Sequence, residues 1–171
     1  MEVIDTASKL TKDLEIRFGS LVHDLGKGRT KKEEYPHHYG HDIKGVEPVK
    51  EMCKRIGIPK RWEKCGIVAA KEHMIGGIFN KMTIGKQVSF IERVNKSILG
   101  LDGLQIVVNS DRTRNGKEDL ITPNFAEIGK KIIKEIDGEY IKKKYGINDG
   151  KKIKEKMHQE RIERMKKMKY N

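Results

Sequence analysis

Apolar residues in this chain recur at steps of three and four, and nowhere do they alternate with polar ones over the length of a strand. Val46, Val49, Met52, Cys53 and Ile56 keep helical spacing and predict a helix over residues 40–57. Pro59 restarts the chain, as proline does in a first helical turn. Trp62, Cys65, Val68 and Ala69 then carry a helix to His73, with a break at Gly76-Gly77. Residues 16–25 are an earlier helical stretch ending at Gly26, and a polar loop follows from Lys27 to Glu34. Further helices are expected over residues 84–99 and over 101–114, the second closed by Asn115-Gly116. Pro123 opens a long helix through Ile128, Ile132, Ile136 and Ile141 that ends near Gly146, and a last helix begins after Gly150. The fold class expected is all-α.

At 171 residues the chain can bury a real core, as one domain or as a core with an extension. The pattern divides it into a helical bundle over 1–120 and a basic helical extension over 121–171. Residues 151–171 hold nine Lys/Arg against three acids, within a net charge of +12 for the chain. Such a surface attracts polyanions, nucleic acid above all, although lysine is also a common solubilising residue. Cys53 and Cys65 form no CxxC pair and read as reduced core residues of a cytoplasmic protein. No apolar run approaches the roughly 20 residues of a membrane span. Gly-Lys-Gly at 26–28 lacks the strand and the spacing of a phosphate-binding P-loop.

Five of the six histidines fall between His23 and His73, namely these two with His37, His38 and His41. Asp24, Asp42 and Glu72 stand directly beside three of them. Imidazole nitrogens with carboxylate oxygens suit Zn, Fe, Mn, Ni or Co. The step from His37 to His41 can set two imidazoles on one helical face; the alternative is that His37 and His38 are solvated loop residues.

The stretch Arg17-Phe18-Gly19-Ser20-Leu21-Val22-His23-Asp24-Leu25-Gly26-Lys27-Gly28 resembles the HD signature of bacterial tRNA nucleotidyltransferases, the CCA-adding enzymes. Pro36-His37-His38-Tyr39-Gly40-His41-Asp42 is similar to that family's second motif, and Ala70-Lys71-Glu72-His73 to a third. The likeness continues through Ile91-Glu92-Arg93-Val94-Asn95, Asp111-Arg112-Thr113-Arg114-Asn115-Gly116 and the tail from Gly150 to Ile162. The resemblance implies an HD metal-phosphohydrolase bundle with 2′,3′-cyclic phosphodiesterase, 2′-nucleotidase or phosphatase activity. Nothing in the chain resembles the nucleotidyltransferase head, with its Gly-Ser motif and paired carboxylates. CCA addition is therefore not expected of this chain alone. The family's first metal histidine aligns just before Met1, and its later metal aspartate falls on Asn95.

From the residues and the resemblance together, the metal set expected is His23, Asp24, His37, His38, His41 and Asn95, holding Ni, Mn, Co or Mg. Asp24, His41 and His73 are the catalytic candidates, and Lys27 and Arg29 the phosphate-binding ones. The partners expected are tRNA or other RNA 3′ ends and nucleotides. The competing reading is a non-catalytic body that binds tRNA or a separate nucleotidyltransferase subunit. A nucleoside-triphosphate hydrolase of the wider HD superfamily is a third.

Overall fold

The computed structural model describes residues 2–113 and 124–170. Among these the chain is helical, with no strand, as the spacing of its apolar residues requires. The helices are α1 (Glu2–Leu10), α2 (Leu14–Val22), α3 (His41–Lys44), α4 (Val46–Ile56), α5 (Lys60–Gly77), α6 (Ile84–Asn95), α7 (Gly100–Arg112), α8 (Phe125–Glu135), α9 (Gly138–Tyr145) and α10 (Gly150–Tyr170). Short 3-10 turns occupy Leu25–Arg29, Lys32–Glu34 and Phe79–Lys81. No helix among the described residues is long and apolar enough to cross a membrane.

Helix α5 runs through the centre and packs on α2, α4 and α7. Its Gly66 lets α2 approach closely: a Cβ there would stand 2.8 Å from Val22 Cγ2 and 3.1 Å from the Phe18 ring. This contact sets the end of α2, where His23 follows, beside the later turns of α5, where His73 sits. Gly26 makes the second close approach. A Cβ on it would lie 1.8 Å from the His41 carbonyl oxygen and 2.6 Å from the Gly45 nitrogen. Only glycine lets the turn after Asp24 press on α3, and this brings His41 in.

Two apolar clusters hold the arrangement. Phe18, Val22, Val49, Cys53 and Ala70 pack beneath the α2–α5 contact. Phe79, Phe90 and Phe125 meet ring to ring, with centroids 5.2 to 5.8 Å apart, in a cluster that also takes in Leu104, Ile132 and Met165. Helices α8 and α10 thus share a core with α6 and α7.

Several boundaries differ from those read in the sequence; the stretch read over 16–25, for one, is helical over Leu14–Val22. The helix expected over 40–57 is divided at Gly45, where the chain is pressed against Gly26. The one expected over 84–99 stops at Asn95, and the chain turns into α7 through Gly100, whose φ is +62°. The long helix expected from Pro123 to Gly146 breaks after Glu135. Ile136 leaves helical geometry at φ −129°, and the Asp137 side chain caps α9 by accepting from the Tyr140 N–H at 2.8 Å. The freed Ile136 carbonyl accepts from Arg161 Nε at 3.1 Å and Nη2 at 2.7 Å. Buried Arg161 also donates to Glu92 at 2.8 Å, so α10 is tied to α6 and to the end of α8. The expected close at Asn115-Gly116, the start at Pro123 and the boundary between 1–120 and 121–171 lie outside the described residues.

Candidate metal centre

Asp13 starts α2 by accepting from the Glu15 N–H at 2.8 Å, and the helix ends so that His23 is its C-cap. Three buried imidazoles then share one pattern. His23 Nδ1 donates to the Ser20 carbonyl at 2.7 Å, His41 Nδ1 to the His38 carbonyl at 2.8 Å, and His73 Nδ1 to the Ala70 carbonyl at 2.9 Å. A carbonyl only accepts, so each ring carries its proton on Nδ1 and, when neutral, offers a lone pair at Nε2. This is how metal-ligating histidines are oriented.

The Nε2 atoms converge on Asp24. His41 Nε2 is 3.1 Å and His73 Nε2 3.6 Å from Asp24 Oδ1, while His23 Nε2 is 3.3 Å from Asp24 Oδ2. His23 Nε2 also stands 3.4 Å from Asp111 Oδ1 on α7, and it is buried with no hydrogen-bond partner. Ligand atoms of His23, Asp24 and His73 all lie within 4.8 Å of one another. Burial works against a charge on His23, yet Asp111 and Asp24 outweigh it and push its pKa up to about 9. Burial alone would raise the Asp24 pKa as well. The neighbouring His23 and His73 rings and the Lys27 ammonium prevail and hold that carboxyl well below the usual range. The centre therefore draws positive charge. The Nε2 atoms of His23 and His73 with the Asp24 carboxylate make a three-point donor set whose chemistry fits a divalent cation of the Zn, Mn, Ni or Co kind, with His41 and Asp111 beside it.

The remaining residues singled out in the sequence take other places. Lys27 Nζ meets Asp24 Oδ2 and is one-third exposed, at the rim of the centre. Arg29 pairs with Glu51 of α4 on an exposed face. His37 is exposed and stacks on Tyr39. His38 turns its ring to Thr30, with Nδ1 2.6 Å from Thr30 Oγ1, and contributes its carbonyl to His41. Asn95 is the exposed last residue of α6, and the carboxylate that meets His23 is Asp111. Glu72 faces away from the centre and forms a two-pronged pair with Arg93 at 2.8 and 2.9 Å. The sequence reading missed Asp111 although it opens the Asp111–Gly116 motif; its helical position gave no sign that α7 would set it against His23.

The family described as HD domain, a phosphohydrolase family, matches residues 1–93. The chain is 32% identical over 170 residues to proteins called multifunctional CCA protein from Cupriavidus taiwanensis and Burkholderia cenocepacia, covering 95% of this chain and 40% of each relative. A protein of the same name from Nitrosococcus oceani is 35% identical over 95 residues, which is 56% of this chain and 23% of that protein. The likeness falls on the C-terminal part of these relatives, and the chain spans about two-fifths of the length of the first two. No solved structure matches. The length of the family match and the site geometry lead to one assignment: the chain belongs to the HD domain family.

Proposed function

We propose that this chain is a divalent-metal phosphohydrolase that cleaves phosphoesters at RNA 3′ ends or in nucleotides, as 2′,3′-cyclic phosphodiesterase, 2′-nucleotidase or phosphatase. The observation that carries the reading is the convergence of three imidazoles, each with Nδ1 committed to a backbone carbonyl, on the Asp24 carboxylate. The substrate class rests on the likeness to multifunctional CCA proteins.

His23, Asp24 and His73, the tightest group, would hold the cation, with Asp111 completing the set. A divalent cation there supplies an acidified water and neutralises charge at phosphorus. Asp24 Oδ1 is placed to accept the proton of the attacking water. His41 Nε2, 3.1 Å from that oxygen, takes the proton on and returns it to the leaving oxygen. Lys27 Nζ, at the rim on Asp24 Oδ2, transfers to the phosphoryl oxygens as the substrate arrives. Arg29, turned toward Glu51, takes no part.

Lysine-rich α10 lies along the outer side of α6 and α9 and is suited to an RNA backbone. Metal-free protein given Ni, Mn, Co or Mg singly is expected to turn over 2′,3′-cyclic AMP and bis-p-nitrophenyl phosphate with at least one of them. A folded, metal-bound sample with no turnover of either would overturn the enzyme reading and leave the RNA- or partner-binding body in its place.

A further inference from the structure

The segment Tyr35-Pro36-His37-His38-Tyr39 sets four rings in five residues beside the metal centre, and most of that ring surface faces solvent. Tyr35 is 53% and Tyr39 66% exposed. Tyr39 lies nearly parallel to His37, with centroids 5.5 Å apart and 23° between planes, and Tyr35 lies 4.5 Å from the His38 ring. The segment is firmly held. The N–H groups of His37 and His38 both donate to the Glu34 carbonyl at 2.9 Å, Lys44 pairs with the Glu34 side chain at 3.1 Å, and His38 Nδ1 meets Thr30 Oγ1 at 2.6 Å.

It is also continuous with the centre. His38 has a φ of +49°, uncommon for a residue with a side chain, and in that conformation its carbonyl accepts from both the backbone N–H and Nδ1 of His41. The turn that displays Tyr39 therefore also aims His41. Only Gly40 separates Tyr39 from His41, so their Cα atoms are at most roughly 7 Å apart.

Rigid, exposed aromatic rings interleaved with cations are the surface on which single-stranded nucleic acid stacks its bases. Exposed Lys31 and Lys32 precede the rings, and Lys44 follows them. Tyrosine and histidine with lysine favour a base and its phosphate over the aliphatic side chains of a protein partner. We infer that the parallel Tyr39–His37 pair is a stacking platform for the last bases of a single-stranded RNA 3′ end whose terminal phosphate lies at the His23–Asp24 centre. The inference rests on the phosphohydrolase reading and gives it a preference for base-bearing, single-stranded substrates.

The test is a fluorescence-anisotropy titration of the full, Co(II)-loaded chain. One probe is a 5′-labelled hexa-adenylate ending in a 3′-phosphate, the other an abasic ribose-phosphate strand of the same length and charge. The natural chain is expected to prefer the hexa-adenylate by roughly tenfold or more, Tyr39→Ala to lose that preference, and Tyr39→Phe to keep it. His37→Ala reads the same face if Tyr39→Ala fails to fold, and bound cobalt and thermal midpoint are checked for each variant. Equal binding of the two strands, no binding, or an unchanged preference in a folded alanine variant would overturn the platform. Parallel assay of 2′,3′-cyclic AMP separates the two claims: absent turnover with metal bound counts against the hydrolase, while the platform stands or falls on the strand preference.

Discussion

His41 Nε2 faces His73 Nε2 at 3.3 Å across the buried floor of the site, although both rings have already given their Nδ1 protons to backbone carbonyls. Two neutral imidazoles so oriented bring lone pair against lone pair, and a cation or a shared proton relieves the repulsion. Asp24 Oδ1, 3.1 Å from the first nitrogen and 3.6 Å from the second, adds negative charge at the same point. His73→Ala is accordingly expected to weaken Co(II) or Ni(II) binding by roughly a hundredfold or more, beyond what loss of an outer-shell partner causes. Competition against a chromophoric chelator reads this directly, and unchanged affinity would remove His73 from the ligand set.

Asp111 and Asn95 form a paired test of which residue supplies the later side-chain oxygen. Asp111→Asn removes a carboxylate 3.4 Å from His23 Nε2, whereas Asn95→Ala alters an exposed position at the end of α6. Metal affinity is expected to fall at least tenfold in the first and to hold in the second, by the same competition measurement.

Gly26→Ala should act on stability and on the site together. The new Cβ would meet the His41 carbonyl oxygen at 1.8 Å, so the turn after Asp24 and α3 must separate. A cost of about 3 kcal/mol is expected, at the upper end for an intruding methyl group because the obstacle is backbone. Urea unfolding measures the stability, and chelator competition is expected to show a parallel loss of metal affinity.

Arg161→Met tests how α10 is held. The substitution strands the Ile136 carbonyl, which accepts from buried Arg161, and takes one of two partners from Glu92, leaving it His158 at 2.9 Å. A loss of about 3 kcal/mol is expected in denaturant unfolding. Lys167→Glu, on the exposed face of the same helix, is expected to change stability little and to weaken RNA binding and flatten its salt dependence.

The contact of α9 with α10 is acid-sensitive. Lys144 first, then Tyr145, with a smaller share from Tyr140, lower the Glu160 pKa from 4.5 to about 2. A carboxylate with a lowered folded-state pKa contributes fully above its ordinary value and loses that contribution as pH falls through the lowered one. The difference in thermal midpoint between the natural chain and Glu160→Gln is therefore expected to be steady above pH 4.5 and to shrink toward pH 2. A difference constant with pH would place the stabilisation elsewhere.

What the sequence disclosed was what local pattern controls. The helical class follows from apolar spacing, and the His23-Asp24 pair, His41 and His73 stand in short motifs whose residue types announce their chemistry. The break at Ile136 was hidden because Ile132, Ile136 and Ile141 keep apolar spacing across it; the decisive partner, Arg161, lies 25 residues further on. Asp111 was hidden for a similar reason, since only the packing of α7 on α2 and α5 brings it to His23. His37 and His38 were conspicuous by type. Their roles were set by backbone direction, which turns one ring to solvent and the other to Thr30.

A cation site centred on His23 and Asp24 is open to Co(II) titration followed by visible d–d absorption. Saturable binding by the natural chain is expected, with the absorption of a site built from nitrogen and oxygen ligands, and its loss in Asp24→Ala and His73→Ala samples whose circular dichroism is unchanged. A folded natural chain that takes up no cobalt, or an Asp24→Ala variant that binds it as tightly, would rule out a cation site at His23 and Asp24.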